Sequence, residues 1–227
     1  MFASINLKTN KIIIMNKAFT YLSMASVLFL ASCGNTEEAA PEAEVVPVVE
    51  TYTVDTENSG LTFLGSKTYA GYGHNGTVSF SEGTITTTDS VVTSANFTVD
   101  LNTMNVTDSM PEEKLGYLIG HLKSADFFAV DSLGNTATFE VTSVENGMMK
   151  GSMTVMGLSK DVEVATTIEM TEGTVTVSGD FEIDLAQFGL AALQAPVMEE
   201  GVEMDEEAKQ NVYDQSVKFS VNITATK

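Results

Sequence analysis

The sequence contains no arginine, no tryptophan, one cysteine and two histidines among its 227 residues. A single cysteine cannot form a disulfide bond within the chain, so an exported domain must be held together by its apolar core alone. Tight diphosphate recognition usually needs arginine forks or a glycine-rich helix start, and the sequence shows neither. The sequence therefore gives no sign of a diphosphate site.

Positive charge is scarce as well. The chain has 31 acidic residues against 11 lysines, and its formal net charge is −20. Such a surface repels nucleic acids and anionic lipid head groups over most of its area. We therefore predict that nucleic acid is not a partner.

The two histidines offer little for catalysis. His74 and His121 are accompanied by neither a Gly-x-Ser-x-Gly motif nor a His-Glu-x-x-His motif. Together with Asp126 they show no recognisable spacing of metal ligands. We predict that the protein is not an enzyme and that it carries no metal and no cofactor.

The N-terminal segment has the pattern of a targeting signal. Lys17 precedes an apolar run over residues 18–30 that is too short to span a bilayer comfortably but suits the core of a signal peptide. The run ends in Leu30-Ala31-Ser32-Cys33, which resembles the bacterial lipobox, in which the cysteine receives the lipid. We predict a lipoprotein signal peptide at residues 1–32, with Met15 as an alternative start. The alternative is a buried core helix that ends in an incidental cysteine.

Residues 33–51 are acidic, rich in alanine and interrupted by Pro41 and Pro47, as is typical of a disordered tether. Glu37-Glu38 resembles an acidic signal for export to the cell surface. Lipid attachment at Cys33 would make the membrane a partner through the anchor. We predict an outer membrane lipoprotein that faces either the periplasm or the cell exterior.

From Tyr52 onward, polar and apolar residues alternate. In the stretch from Val91 to Asn102, Phe97, Val99 and Leu101 share one face. About eight such strands are joined by tight turns, without the alternation of strands and helices that parallel sheets require. Residues 52–227 are therefore predicted to be all-β, an antiparallel barrel of about eight strands with one central helix, and a two-sheet sandwich is the alternative.

The one helix is predicted over Met110–Lys123. Ser109 and Glu112 have the spacing of a capping box, and apolar residues recur at helical intervals behind them. Gly116 and Gly120 weaken this helix by about 1 kcal/mol each. The segment that follows contains Phe127 and Phe128, which either fill the core or form a wall of an apolar pocket.

Several blocks along residues 52–227 resemble members of the YceI-like family, in particular its lipid-anchored form in Bacteroidetes. They are Gly65-Ser66-Lys67, Gly73-His74-Asn75-Gly76-Thr77, Phe97-Thr98-Val99-Asp100-Leu101 with Met104 and Asp108, His121-Leu122-Lys123-Ser124-Ala125-Asp126-Phe127-Phe128, Met153-Thr154-Val155-Met156-Gly157-Leu158-Ser159-Lys160-Asp161-Val162 and Val212-Tyr213-Asp214-Gln215. The blocks agree with the family in order and spacing.

This resemblance implies an extended lipocalin-like barrel that holds a long apolar molecule, such as an isoprenoid or a fatty amide, outside the cytoplasm. Phe63 and Phe188 stand where this form of the family often has tryptophan. Apolar side chains would give affinity, and three polar ones at the rim, Lys67, His74 and His121, would orient a polar head group. The full set predicted to line the ligand pocket is Phe63, Lys67, His74, Phe97, Val99, His121, Phe127, Phe128, Phe139, Phe181 and Phe188.

Two functions remain open at this point. The first is a lipoprotein that binds a long-chain apolar ligand for carriage, storage or envelope stress response. The second is an envelope interaction or stress protein whose barrel is simply packed, with Phe97, Phe127, Phe139 and Phe181 in mutual contact. The sequence also leaves the oligomeric state open, and a homodimer remains an option.

Overall fold

The computed structural model describes residues 46–194 and 203–227. The predicted signal peptide, Cys33 and most of the tether lie outside the described residues, as does part of the acidic stretch 196–210. None of the helices within the described ranges is long and apolar enough to cross a bilayer.

Within the residues that the structure describes, ten strands form one sheet in which every pairing is antiparallel. They are β1 (Val49–Val54), β2 (Gly60–Ser66), β3 (Gly73–Thr88), β4 (Val91–Val106), β5 (Thr136–Glu145), β6 (Met148–Val155), β7 (Leu158–Ala165), β8 (Thr167–Thr171), β9 (Thr174–Asp184) and β10 (Ser216–Thr226). Helix α1 (Glu112–Lys123) and the short helix α2 (Val130–Leu133) lie between β4 and β5. The single-turn helix α3 (Glu206–Lys209) precedes β10.

The ten strands occupy eight positions around a closed barrel. β1 and β2 lie in tandem between β3 and β10. β7 pairs with β6 and β8 pairs with β9, and Thr166 is the one residue between β7 and β8. A nearly continuous stretch of chain therefore joins the two ends of the sheet and closes the barrel. The predicted all-β barrel of about eight strands is confirmed.

The seam at Thr166 depends on close backbone contacts. The Thr166 amide donates to the Gly147 carbonyl at 2.7 Å, which holds the bend between β7 and β8. On β9, a Cβ at Gly179 would lie 2.5 Å from the Ala165 carbonyl oxygen. Only glycine therefore lets β9 approach the seam this closely.

One end of the barrel is filled with side chains. Its core contains the register pairs Tyr52 with Ile85 and Val175 with Ala225, which are between 0 and 2% exposed. These residues lie at the level of β1 and β8, and we call this region the packed end. The alternation of inward and outward residues predicts such a core directly.

At the level of β2 and β7 the wall is completed by the segment after β9. Two 3-10 turns, Leu185–Phe188 and Ala191–Leu193, place Phe188 and Leu190 in a fully buried cluster with Phe127. The Ala192 amide donates to the Asp126 carbonyl at 2.8 Å and ties these turns to the chain that leaves α1.

Helix α1 differs from its prediction at one end. It begins at Glu112 after Pro111, and no side chain caps it, so the predicted start at Met110 and the predicted capping box are wrong. A residue that precedes proline is driven out of the helical conformation, so Met110 cannot belong to the helix. Ser109 consequently lies too far upstream to cap it. The predicted end at Lys123 is confirmed.

Candidate functional site: an apolar cavity in the barrel

The barrel encloses a cavity of about 530 Å³. This volume lies within the range of about 300–1,000 Å³ that is typical of small-molecule sites. Inward-facing side chains of β2 to β7, β9 and β10 line the cavity, whereas β1 and β8 contribute none. The cavity therefore occupies the part of the barrel that the packed end leaves free.

Most of the lining is apolar. Phenylalanine, methionine, leucine and valine dominate. Five of these lining residues are not among the pocket residues predicted from the sequence: Phe80, Met104, Met149, Met153 and Phe219. The inward phase of the strands would have identified them, because Phe80 pairs with Val99 and Phe219 pairs with both Phe63 and Phe181. Unbranched methionines can adapt to more than one ligand shape.

Ten of the eleven predicted pocket residues meet around this cavity. They are Phe63, Lys67, His74, Phe97, Val99, His121, Phe127, Phe128, Phe139 and Phe181.

Phe188 is the exception. It does not line the cavity, because the chain leaves β9 at Asp184 and turns through a 3-10 helix that packs Phe188 behind the wall. The Asp184 side chain accepts a hydrogen bond from the Ala186 amide at 2.9 Å and stabilises that turn. The predicted assignment of Phe188 to the pocket is therefore wrong, and this residue belongs to the core.

The position of Phe63 is fixed by a glycine on the neighbouring strand. Gly76 pairs with Phe63 across β2 and β3, and a Cβ at Gly76 would collide with the Phe63 ring. The ring therefore lies directly on the backbone of β3. A motif glycine in the sequence thus shapes the cavity wall.

The cavity opens to solvent beside Tyr72 and Tyr117, and we call this opening the mouth. Tyr72 and Tyr117 line the cavity and are nevertheless 52% and 79% exposed. Tyr117 belongs to α1, none of whose residues is buried, so this helix covers the opening from outside. These tyrosines are not predictable from the sequence, since exposed aromatic residues carry no periodic signal.

Aromatic rings follow one another along one side of the mouth. Tyr117 stacks on His121 with ring centroids 6.4 Å apart, His121 meets the Phe127 ring at 5.1 Å, and Phe127 meets Tyr213 at 5.3 Å. The Lys67 ammonium lies 5.1 Å from the centre of the Tyr213 ring and donates to the Gln210 carbonyl at 2.7 Å. The lysine is therefore engaged by the protein itself.

His74 also lies at the mouth, where Tyr72 meets its ring edge-on at 5.9 Å. Its Nδ1 lies 2.6 Å from Oδ2 of Asp108, whose Oδ1 accepts a hydrogen bond from the Asn75 amide at 3.0 Å. Burial acts to raise the pKa of Asp108, but the hydrogen bonds from Asn75 and His74 outweigh it and hold that pKa below the usual carboxyl value. Asp108 is therefore an ionised acceptor that fixes the orientation of the imidazole.

The mouth does not have the arrangement of a metal site. Within residues 46–194 and 203–227, no three histidine, cysteine or acidic side chains are grouped so that they could hold a metal ion.

A closed antiparallel barrel with an apolar cavity and one polar mouth has the architecture of lipocalin-like proteins. Residues 52–225 match the family model of the YceI-like domain. The chain therefore belongs to the YceI-like family.

Solved structures share the fold. BcnA from Burkholderia cenocepacia is 18% identical, with a TM-score of 0.56 over 76% of this chain and 99% of that one. A polyisoprenoid binding domain from Saccharophagus degradans, implicated in plant cell wall breakdown, is 15% identical, with a TM-score of 0.51 over 77% of this chain and 97% of that one. Comparison with curated protein sequences finds no match.

Proposed function

We propose that this protein binds a long-chain apolar molecule, of the isoprenoid or fatty amide or fatty acid type, inside its barrel. The observation that carries the proposal is the cavity of about 530 Å³, whose lining is mostly apolar and whose charged side chains, Lys67 and Asp214, lie at its mouth. Each square ångström of apolar ligand surface that leaves water there contributes about 25 cal/mol to binding. A long hydrocarbon with one small polar end suits this distribution.

Two comparisons support the proposal. The chain belongs to the YceI-like family, and a protein of the same fold is a polyisoprenoid binding domain. Both favour a binding protein over an enzyme. The alternative of a packed barrel loses support, because Phe97, Phe127, Phe139 and Phe181 all line the cavity.

Native mass spectrometry and lipid extraction of protein purified from its own host test the proposal. We expect a co-purified lipid and uptake of a fluorescent polyene by the emptied barrel. Ala137→Phe, on the cavity wall, should abolish uptake because the added ring occupies the cavity. Ala165→Phe makes the same change at an exposed position of β7 and should leave uptake intact. Absence of lipid together with absence of uptake by the wild-type protein would overturn the proposal.

We further propose that the barrel is the extracytoplasmic part of an outer membrane lipoprotein anchored at Cys33. The motivation is the lipobox-like segment that ends at this cysteine. Cys33→Ser should move the protein from the membrane to the soluble fraction, and retention in the membrane would contradict the anchor. Protease added to intact cells should degrade the domain if it faces the exterior and spare it if it faces the periplasm.

A further inference from the structure

The polar groups at the mouth differ in whether they are still available to a ligand. Lys67 already donates to Gln210, and Asp214 accepts a hydrogen bond from the Thr68 hydroxyl at 2.7 Å. His74 uses Nδ1 for Asp108, and no atom of the described residues hydrogen-bonds its Nε2. The imidazole lines the cavity, whereas Asp108 lies behind it and does not. Nε2 is therefore the nitrogen that His74 offers to the cavity.

The chemistry of this nitrogen is set by Asp108. An ionised carboxylate can only accept, so the 2.6 Å contact places the imidazole proton on Nδ1. In the neutral ring, Nε2 is then left with a lone pair and acts as an acceptor. A ligand atom that donates a hydrogen bond satisfies it, whereas an ether or ester oxygen does not.

We propose that Asp108 and His74 together make the mouth selective for long-chain ligands whose head group donates a hydrogen bond, such as a hydroxyl or an amide N–H. The inference rests on the proposed function, because the chain of such a ligand has to occupy the barrel. His74 contacts the head group, and Asp108 is a positioning residue that acts through the histidine tautomer.

The neighbours of Asp108 make a sharp test available. In Asp108→Asn, the Asn75 amide and side chain still donate to the position of Oδ1, so the amide oxygen of the new side chain is held there. Its NH₂ group then faces Nδ1 of His74 and donates to it. This forces the imidazole proton onto Nε2 and converts that atom from acceptor to donor.

The measurement is displacement of a bound fluorescent polyene by hexadecanol and by its methyl ether, at mildly alkaline pH. The two probes share one chain, and only the alcohol can donate. The wild-type protein should bind the alcohol at least about fivefold more tightly than the ether, as expected for one neutral hydrogen bond. Asp108→Asn should bring the ratio close to one, because a donor at Nε2 serves both oxygens. His74→Phe, which keeps a ring but no nitrogen, should do the same.

Asp55→Asn is the matched control, because it makes the same change of side chain away from the cavity. Asp55 lies in the turn between β1 and β2, accepts a hydrogen bond from Asn58 and does not line the cavity. It should keep the wild-type ratio. Nitrogen NMR of the imidazole, recorded without ligand, should show the proton on Nδ1 in the wild type and on Nε2 in Asp108→Asn. A purely structural role for Asp108 would lower the affinity for both probes without changing their ratio.

The outcomes separate this inference from the proposed function. If neither probe nor the polyene binds the wild-type protein, the proposed function fails. If both probes bind with equal affinity, or if Asp108→Asn and His74→Phe keep the preference for the alcohol, the selectivity of the mouth is overturned while binding in the barrel stands.

Discussion

At the packed end, Ile85, Val175 and Ala225 have no exposed surface, whereas Phe63 and Phe181 at the level of the cavity remain only half-buried although they also point inward. Both sets come from strands of the same barrel and obey the same alternation. At the packed end, Tyr52 and aliphatic side chains fill the interior, while the rings of Phe63 and Phe181 at the other level leave a void. The alternation and the size of inward side chains along one strand therefore do not reveal whether the barrel interior is packed or contains a cavity.

The difference arises from how the eight positions are occupied. At the packed end, β1 supplies Tyr52 and β8 supplies the partly buried Ile168, and both residues pack on the core. At the level of the cavity, β2 occupies the position of β1 and β7 occupies the position of β8. The 3-10 turns, one of which contains Phe188, complete the wall there. Stability and ligand binding should consequently be separable by position.

The largest effect is expected from Ile85→Ala at the packed end. Removal of a fully buried aliphatic side chain should lower the free energy of unfolding by about 2–5 kcal/mol. Leu118 on α1 lines the cavity and is only partly buried. Leu118→Ala should therefore lower the free energy of unfolding by less than about 1 kcal/mol. Urea titration of both variants measures the difference. Equal losses would mean that the two regions are not energetically distinct.

A gain in stability is expected at Thr87. Its side chain is fully buried at the packed end, and its hydroxyl has no partner within the described residues. Thr87→Val removes this unsatisfied group at nearly constant shape and should add about 1 kcal/mol. Thr84→Val, at an exposed position of the same strand, should change little. A lower melting temperature for Thr87→Val would show that the hydroxyl is satisfied in solution.

Replacement of the two glycines of α1 by alanine should stabilise mainly the helix itself. Gly116 and Gly120 have open space where the Cβ of a larger residue would lie, so alanine fits at both without a clash. Because alanine favours a helix over glycine by about 1 kcal/mol, the double substitution should slow amide hydrogen exchange within α1. The global free energy of unfolding should change less, since α1 buries no residue. Unchanged exchange in α1 would indicate that this helix opens only when the whole barrel unfolds.

The smallest effect is expected in the dependence of stability on acidic pH. Because the pKa of Asp108 is lowered in the folded state, its contribution to stability is present above the ordinary carboxyl pKa and is lost as the pH falls through the lowered value. The stability difference between the wild type and Asp108→Asn should therefore shrink on acidification. Urea midpoints at about pH 7 and about pH 3 provide the measurement. A difference that grows in acid would contradict the lowered pKa.

Much of this architecture is predictable from the sequence. The alternation through Phe97, Val99 and Leu101 places these residues on the inner face, and the barrel follows from the number of strands and turns. Ten of the eleven pocket residues also meet at one cavity. Their role in binding remains a prediction.

The errors have identifiable physical causes. The capping motif at Ser109 predicts a helix that starts at Met110, but Pro111 decides where the helix begins. The prediction for Phe188 rests on the resemblance to the family, and the 3-10 turn that carries this residue behind the wall has no periodic signature. The exposed Tyr117 and the contact of His74 with Asp108 depend on tertiary structure that joins distant segments.

Strand β10 pairs with β1, β2 and β9, so it links parts of the chain as far apart as Thr53 and Thr226. Until β10 is in place, β2 and β9 each present an unpaired edge to other chains. Closure therefore depends on contacts of large sequence separation, which form slowly. In the folded barrel β10 covers the edges of β2 and β9, whereas an unclosed precursor exposes both to other chains.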